Sequence, residues 1–455
     1  MCCAQHLAPD LVKRGVAAWE RSLPCYIGQS ESPGVVGMPF APRKTKANSM
    51  GTPTAPQPIT SGKPSRALLY SHDTFGLGHL RRSRAVAAAL TQAGVVTSAI
   101  ILTGSPVAGR FTFPEAVDHV RLPGVKKLAD GSYASQTEGM DIDGTTALRA
   151  GVISSTVEEY APDLLIVDKE PTGFRGELLP TLEKLRAAGR TRIVLGLRDV
   201  LDEQEVLAAE WDRKGATAAT EKYYDELWVY GPRSVYDPTD GLPLSSDVRA
   251  RTYWTGYIRR EIIDPADVPD TPYILVTPGG GGDGAAMVDL VLRAYEQDPD
   301  LGPQAVLVYG PFLAGEEREH FEARVAALGG RVVSTGFDSK IESLIANAEG
   351  VICMGGYNTF CEVLSFDCRA VIVPRTEPRI EQWIRANRAE ALGLVRNLDK
   401  YRDGLTAQTM IDAIRALPQQ SRPSQAGADG LLDGLDVVIA RARALMDTRL
   451  KSAAE

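Results

Sequence analysis

Apolar positions along the chain fall into short β-branched runs that alternate with longer amphipathic stretches, beginning at Arg66. Runs such as ALLYS, IILTG and LLIVD are typical of strands covered on both faces, because such strands are apolar at consecutive positions. Strands that alternate with helices predict a parallel sheet with helices on both sides. A charged, proline-containing segment interrupts the series, and a second series starts at residue 273. We therefore expect an α/β protein with two doubly wound, Rossmann-like domains facing each other across a cleft.

The same pattern predicts the domain boundaries. The expected divisions are a flexible, disordered N-terminal extension (1–65), a first Rossmann-like domain (66–256), a linker (257–272), a second Rossmann-like domain (273–420), and a C-terminal amphipathic helix and tail (421–455). The extension is rich in Pro, Gly, Ser and Thr without a sustained period, which is typical of disorder. One long helix is predicted over roughly 203–222, and the last helix over 430–450.

Composition excludes several classes of protein. The 455 residues carry a net charge of −8, which argues against a nucleic-acid binder. No apolar run reaches the roughly 18 residues that span a bilayer, although peripheral membrane contact remains compatible. The six cysteines form no C-x-x-C pair, so a structural zinc site is not expected. Cys353, Cys361 and Cys368 lie in apolar segments and are predicted to be reduced core residues, which favours a cytoplasmic protein.

Three glycine-rich loops follow predicted strands. Gly76 and Gly78 precede His79, the run TPGGGG contains Gly279, Gly280 and Gly281, and GGYNT runs from Gly355 and Gly356 through Asn358 to Thr359. Loops after parallel strands meet at one edge of the sheet, and the backbone N–H groups of a following helix bind phosphate. The first loop is equally consistent with a plain strand-to-helix turn. Four consecutive glycines are hard to explain as a turn, because each one costs backbone entropy.

Two histidines are candidates for proton transfer. His79 is predicted at the mouth of the cleft, where a histidine with a near-neutral pKa could take a proton from a substrate hydroxyl. His72, seven residues earlier, competes for this role. A capping or core histidine is the alternative for both.

Several acids have a structural interpretation beside the functional one. Glu362 is either a ligand contact or part of a Thr359-x-x-Glu362 capping box. Glu381 and Gln382 could contact a ligand or form an exposed first helical turn. Asp283 is an N-cap candidate for the following helix. Asp141-x-Asp143 resembles a metal-binding pair, but a solvated loop is the favoured interpretation.

Basic residues lie near the same predicted edge. Arg198 and Asp199 follow a strand, where they could bind a substrate or orient a base; a salt-bridged loop pair is an equally good interpretation. Arg82, with Arg81 and Arg84, forms either a basic cleft lip for an anionic acceptor or the solvated face of a helix.

Taken together, these motifs resemble glycosyltransferase family 28, which has the GT-B fold, over about residues 66–400. Within the family they are similar to the N-acetylglucosaminyltransferase that forms lipid II and to bacterial predicted glycosyltransferases that share SHDTFGLGHLRR. FGLGH stands at the family's GGTGGH loop, TPGGGG at its phosphate loop, and STGF at its nucleobase turn, which implies that Phe337 contacts the base. GGYNTFCE ends in the family's ribose-binding glutamate, here Glu362, and the pair at 381–382 matches the residues that hold donor-sugar hydroxyls.

The resemblance implies an inverting, metal-independent transfer of a hexose or N-acetylhexosamine from a UDP-sugar co-substrate, with no other cofactor. The acceptor hydroxyl would belong to a cell-envelope, polysaccharide or secondary-metabolite glycan, including lipid-linked or anionic acceptors. The chain departs from the family pattern in its first loop, which lacks doubled glycines, and at Arg385, where many relatives have Asn. The alternatives are a UDP-N-acetylglucosamine 2-epimerase and a non-catalytic nucleotide-sugar-binding subunit.

Overall fold

The computed structural model of the protein describes residues 64–72, 78–128, 132–263, 265–280 and 282–452, with Lys127 and residues 448–452 described as backbone only. The predicted N-terminal extension falls outside these residues apart from its last two positions. Gly76 and Gly281, both expected in phosphate loops, also fall outside them.

The first domain is built on parallel strands and their connecting helices. Its strands are β1 (Arg66–Ser71), β2 (Ser98–Thr103), β3 (Val117–Arg121), β4 (Val125–Lys127), β5 (Tyr133–Ser135), β6 (Leu164–Asp168), β7 (Arg192–Arg198), β8 (Glu226–Tyr230) and β9 (Thr252–Trp254). Its helices are α1 (Gly78–Gln92), α2 (Ile142–Tyr160), α3 (Leu179–Ala188), α4 (Gln204–Arg213), α5 (Ala216–Tyr223) and α6 (Ser246–Ala250).

The second domain repeats this alternation. Its strands are β10 (Tyr273–Thr277), β11 (Gln304–Val308), β12 (Val332–Thr335), β13 (Gly350–Cys353), β14 (Ala370–Ile372) and β15 (Arg396–Asn397). Its helices are α7 (Ala285–Gln297), α8 (Gly315–Ala327), α9 (Ile341–Asn347), α10 (Tyr357–Ser365), α11 (Glu381–Ala391) and α12 (Ala407–Ala416), and α13 (Gly434–Ser452) ends the described chain.

Both large sheets are wound in two directions from their first strand. In the described residues the first sheet has the order β3-β2-β1-β6-β7-β8-β9 and the second β12-β11-β10-β13-β14-β15, with parallel pairing throughout. The direction of winding therefore reverses between β1 and β6, and between β10 and β13. Crevices for ligands open at such switch points, at the carboxyl ends of the strands. The predicted α/β class with two doubly wound domains is confirmed.

The structure corrects several element predictions. The long helix expected over 203–222 is two helices, because Gly215 adopts a left-handed φ of +61° between them. Strands β3 and β9 extend the first sheet at positions where no strand was expected. The segment predicted to be a charged linker is not exposed at its start, because Tyr257 and Ile258 are fully buried there.

An apolar core joins the two domains. The Tyr257 ring lies edge-on to Phe360 of α10, with ring centroids 5.2 Å apart. The last helix returns to the first domain, where Arg441 pairs with Glu226 and the Arg443 side chain donates to the Ala93 carbonyl at 2.8 Å. The three cysteines expected in the core are buried free thiols. None of the helices in the described part of the chain is both long and apolar enough to cross a bilayer.

A fully buried ion pair crosses between the domains. Arg385 of α11 donates from Nε and Nη2 to the two carboxylate oxygens of Asp199, at 2.7 and 2.6 Å. The Tyr257 hydroxyl lies 3.2 Å from the same carboxylate. Both charged side chains are at most 1% exposed, so each depends on the other for compensation.

We expect Arg385→Met to destabilise the protein by about 3–5 kcal/mol, because it leaves the Asp199 carboxylate buried without its partner. The double variant Asp199→Leu/Arg385→Met should regain much of this loss, since no buried charge remains. Urea unfolding followed by circular dichroism measures both. Lys184→Met, which breaks an exposed pair with Glu158, is the control and should change little. A loss in Arg385→Met no larger than in this control would contradict the account.

Candidate functional site

A cleft of about 220 Å³ opens where the two switch points face each other. The first domain contributes the start of α1 and the end of β7, and the second contributes the glycine loops and the start of α11. Its lining includes the predicted site residues Gly78, His79, Arg82, Arg198, Gly279, Gly280, Phe337, Gly356, Asn358, Thr359, Glu381 and Gln382. The sequence therefore identified residues from both walls of one cavity.

The glycine turn before α10 has the geometry of an anion site. Gly355 adopts a φ of +73°, and a Cβ there would lie 2.7 Å from the Ile372 side chain, so only glycine fits. The N-cap of α10 is Gly356, and no side chain caps the helix. Thr359 is the third residue of the helix rather than its N-cap, which rules out the capping box with Glu362. The N–H groups in the first turn of α10 therefore have no side-chain cap, and they lie at the end of the helix that faces the cleft.

The first residues of the TPGGGG loop also lie on the cleft wall. Gly279 has a φ of +79°. Its carbonyl approaches Gly310 so closely that a Cβ at that position would clash with it. Asp283 does not cap α7, whose N-cap is Gly284; it pairs instead with Arg375.

His79 is held by a carboxylate that the sequence did not single out. His79 Nδ1 lies 2.8 Å from Asp168 Oδ2, and Arg82 Nη2 donates to both Asp168 oxygens at 2.6 Å. Burial alone would raise the pKa of Asp168, but Arg82 and His79 lower it to about 2. Asp168 is thus a permanent carboxylate, which favours the tautomer with hydrogen on Nδ1 and a lone pair on Nε2.

Asp168 could have been found from the topology. It ends β6, which is the neighbour of β1 at the switch point, so it lies beside the loop that carries His79. Asp199 was expected to orient the base, and that prediction is wrong: its carboxylate is engaged by Arg385 and Tyr257. The alternative, a loop pair between Arg198 and Asp199, is also wrong because Asp199 pairs across the domains.

The predicted basic lip is not solvated. Arg82 is 1% exposed and stacks between aromatic rings, with its guanidinium 5.2 Å from the Tyr357 centroid. Arg81 pairs with Glu342 at 2.7 Å and also with Glu362 of the second domain. Arg82 therefore acts through Asp168, and the interpretation as an exposed acceptor-side lip is corrected.

His72 lies behind His79, outside the cleft lining. The two rings meet edge-on with centroids 5.8 Å apart. Burial lowers the pKa of His72 well below its usual value, and the Lys169 and His79 charges lower it further. His72 is accordingly a neutral neighbour of His79.

Glu381 and Gln382 both accept hydrogen bonds from Arg375. The Arg375 side chain donates to Glu381 Oε1 at 2.5 Å, and its backbone N–H donates to Gln382 Oε1 at 3.1 Å. Burial raises the pKa of Glu381, but Arg198, Arg375 and Arg385 lower it overall. Both residues are buried, so the alternative of an exposed first turn does not hold.

Asn358 and Phe337 join their neighbours across the cleft. Asn358 accepts from Arg260 at 2.6 Å and donates to the Gly78 carbonyl at 3.1 Å, linking the two glycine loops. The Phe337 ring meets Phe111 of the first domain edge-on, with centroids 6.0 Å apart.

Glu362 lies one layer behind the cleft wall. It is 1% exposed, one oxygen pairs with Arg81, and Oε2 is buried without a partner. Burial and the nearby Glu342 charge raise the pKa of Glu362 to about 7, although the Arg81 charge opposes this shift. A ribose hydroxyl could use this unpartnered oxygen only after a local rearrangement.

The Asp141-x-Asp143 pair has structural partners. Asp141 caps α2 by accepting from the Gly144 N–H at 2.7 Å, and Asp143 pairs with Arg175. Across the described ranges, no group of three or more His, Cys, Asp and Glu side chains is arranged to hold a metal ion.

The second domain matches a known family. Residues 273–429 match the sequence model of the glycosyltransferase family 28 C-terminal domain. No curated protein sequence matches the chain significantly.

Solved structures share the whole fold. The chain is similar to a UDP-glucosyltransferase from Polygonum tinctorium capable of glucosylating indoxyl, with a TM-score of 0.58 and 13% identity over 85% of this chain and 100% of that chain. It is similar to UGT2 from Phytolacca americana in complex with UDP-2-fluoroglucose and pterostilbene (TM-score 0.57, 14% identity, 86% and 100% covered). It is also similar to the glycosyltransferase VinC in complex with dTDP (TM-score 0.52, 15% identity, 85% and 100% covered). At these identities the likeness shows the fold, which is GT-B.

We expect Glu362 to make stability fall as pH rises. Its pKa is raised from an ordinary 4.5 to about 7, so the folded protein holds a proton that the unfolded chain has lost. The stabilisation is complete below the unfolded-state pKa and is lost as pH rises through the folded-state pKa, at a slope of up to about 1.4 kcal/mol per pH unit.

Urea unfolding of wild type and Glu362→Gln between about pH 5 and about pH 8 measures this slope. The free energy of unfolding of wild type should fall relative to that of the variant over that range. Glu342, the neighbouring acid, is present in both proteins. Parallel profiles would contradict the raised pKa.

Proposed function

We propose that this chain, a glycosyltransferase of the family 28 type with the GT-B fold, transfers a hexose or N-acetylhexosamine from a UDP-sugar to an acceptor hydroxyl, with inversion and without a metal ion. One observation carries the proposal. The glycine turns of a family 28 C-terminal domain lie in the same cleft as His79, a histidine held by a permanent carboxylate. The same proposal places the protein in the cytoplasm.

The donor would bind along the second domain. Its diphosphate would accept from backbone N–H groups at Gly279, Gly280 and the start of α10, where the helix dipole is positive. The Phe337 ring would stack on the base. Proteins with similar folds form complexes with UDP-2-fluoroglucose and with dTDP, which supports a nucleoside-diphosphate donor.

The ribose and the donor sugar would hydrogen-bond to the polar side chains of the cleft. Asn358 and Thr359 line the cleft beside the turn, and Glu381 and Gln382 would hold sugar hydroxyls at its far end. Glu362 remains the ribose candidate, because its Oε2 has no partner and a hydroxyl would satisfy it.

The two walls of the cleft would have different roles in the transfer, with the base on the first domain and the stabilisation of the leaving group on the second. His79 Nε2 would take the proton of the acceptor hydroxyl as its oxygen attacks the anomeric carbon. Attack from the first-domain side, opposite the diphosphate, inverts the configuration. The negative charge that develops on the leaving diphosphate would meet the fixed N–H groups of the turns, which supply the stabilisation for which other enzymes use a metal. Asp168 would stabilise the imidazolium that forms.

We expect His79→Ala to lower turnover by about 10²–10⁴-fold, because the general base is lost. UDP release from UDP-sugars in the presence of cell-derived acceptors measures turnover, and calorimetry should show that UDP still binds. His72→Ala is the matched control, since His72 lies behind the cleft and should leave most activity in place. Full turnover in His79→Ala, or an equal loss in His72→Ala, would remove His79 from the role. An epimerised nucleotide-sugar formed without acceptor would replace the proposal with an epimerase.

A further inference from the structure

Two basic side chains end neighbouring strands of the first domain beside the His79–Asp168 pair. Lys169 directly follows Asp168 at the end of β6, and Arg198 is the last residue of β7. The strands are in register, and the Lys169 N–H donates to the Gly196 carbonyl at 2.8 Å. Both residues therefore lie at the carboxyl end of the sheet, where Asp168 pairs with His79.

Arg198 lines the cleft without a carboxylate partner. None of the described acids lies within ion-pair distance of its guanidinium, and its Nε is buried with no hydrogen-bond acceptor. The nearest candidates are already engaged, Glu381 by Arg375 and Asp199 by Arg385. Burial lowers the pKa of Arg198 to about 10, despite the attraction of these two acids.

Lys169 lies outside the residues that line the cleft and is partly buried, but it follows directly on Asp168, the partner of His79. Its backbone adopts a left-handed φ of +73°, which is uncommon for a side chain of this size and tends to occur at functional sites. Burial and the positive charges of Arg379 and Arg198 together lower the pKa of Lys169 to about 8, although the Glu170 charge opposes this shift.

The acids near Lys169 are used by other cations. Glu170 accepts from Lys214 at 2.7 Å, and Glu210 accepts from both Lys214 and Arg379. Among the residues that the structure describes, Lys169 has no ion pair of its own. Lys169 and Arg198 are both partly buried. A partly buried cation without an ion pair is stabilised by a bound anion, and the simplest source of that anion is a substrate.

Building on the proposed function, we propose that Lys169 and Arg198 form a subsite for an anionic group, a carboxylate or phosphate, carried by a substrate next to the reacting atoms. The donor diphosphate does not fill this role, because its proposed ligands are the glycine turns of the opposite domain. The anionic group belongs either to the transferred sugar, as in a uronic acid, or to the acceptor.

The donor source is tested with matched nucleotide-sugars. Calorimetry on the full chain compares UDP-glucuronic acid with UDP-glucose, and UDP with uridine. If the sugar carries the anion, wild type binds UDP-glucuronic acid about tenfold more tightly than UDP-glucose, as expected for a hydrogen bond to a charged group. In Lys169→Met and Arg198→Gln this ratio falls to near one.

The acceptor source is tested on the UDP-loaded protein. The probes are 4-hydroxyphenylacetate with its amide, and glucose 6-phosphate with glucose. If the acceptor carries the anion, the anionic member of a pair binds about tenfold more tightly, and the same two substitutions abolish the preference. Arg198→Lys keeps the positive charge and should therefore keep most of the preference for the anionic probe. Arg213→Gln removes an exposed cation at the end of α4 and is the control for general charge effects.

Three results would overturn the inference. The first is no anionic preference in either the donor or the acceptor pairs. The second is a preference that survives both Lys169→Met and Arg198→Gln. The third is a loss in Arg198→Gln of the UDP-over-uridine preference, which would make Arg198 a diphosphate ligand. Failure of the proposed function looks different, because wild type would then bind no UDP at all.

Discussion

The buried pair between Asp199 and Arg385 fixes the geometry on which the rest of the site depends. Arg385 also donates to the Gly355 carbonyl at 2.9 Å, within the glycine turn before α10. One guanidinium thus joins the end of β7 in the first domain to the proposed phosphate turn of the second. Because neither charge can be left unpaired at this depth, the cleft walls are held in one relative position.

The same constraint explains how charge is distributed in the cleft. Carboxylates at the domain interface are matched to arginines, as with Glu342 and Arg81 or Glu210 and Arg379. Asp168 is matched to Arg82 and is thereby kept ionised beside His79. Within the described ranges, Arg198 on the cleft wall and Lys169 next to Asp168 form no ion pair with an acid. A site with one proposed base and surplus positive charge is suited to anionic substrates and to a developing negative charge.

The fold was predictable because its signal is local. Buried strands, amphipathic helices and the charged linker each show in consecutive residues, and glycine loops that follow strands necessarily reach the same sheet edge. The site was predictable only in part. His79 and the turn at Gly355 carry local signals, whereas Asp168 is recognisable only once β6 is known to lie beside β1. Asp199 was assigned to the base because it follows a strand, but its partner Arg385 lies 186 residues away, and sequence spacing does not encode such pairs.

Hydrogen–deuterium exchange with and without UDP tests most directly whether the cleft is a donor site. The account predicts slower exchange at the backbone amides of Thr277, Gly279 and Gly280 and of residues 355–362 when UDP is present. These N–H groups would bind the diphosphate or be stabilised at the start of α10. Unchanged exchange at these two turns, or protection confined to other parts of the chain, would contradict it.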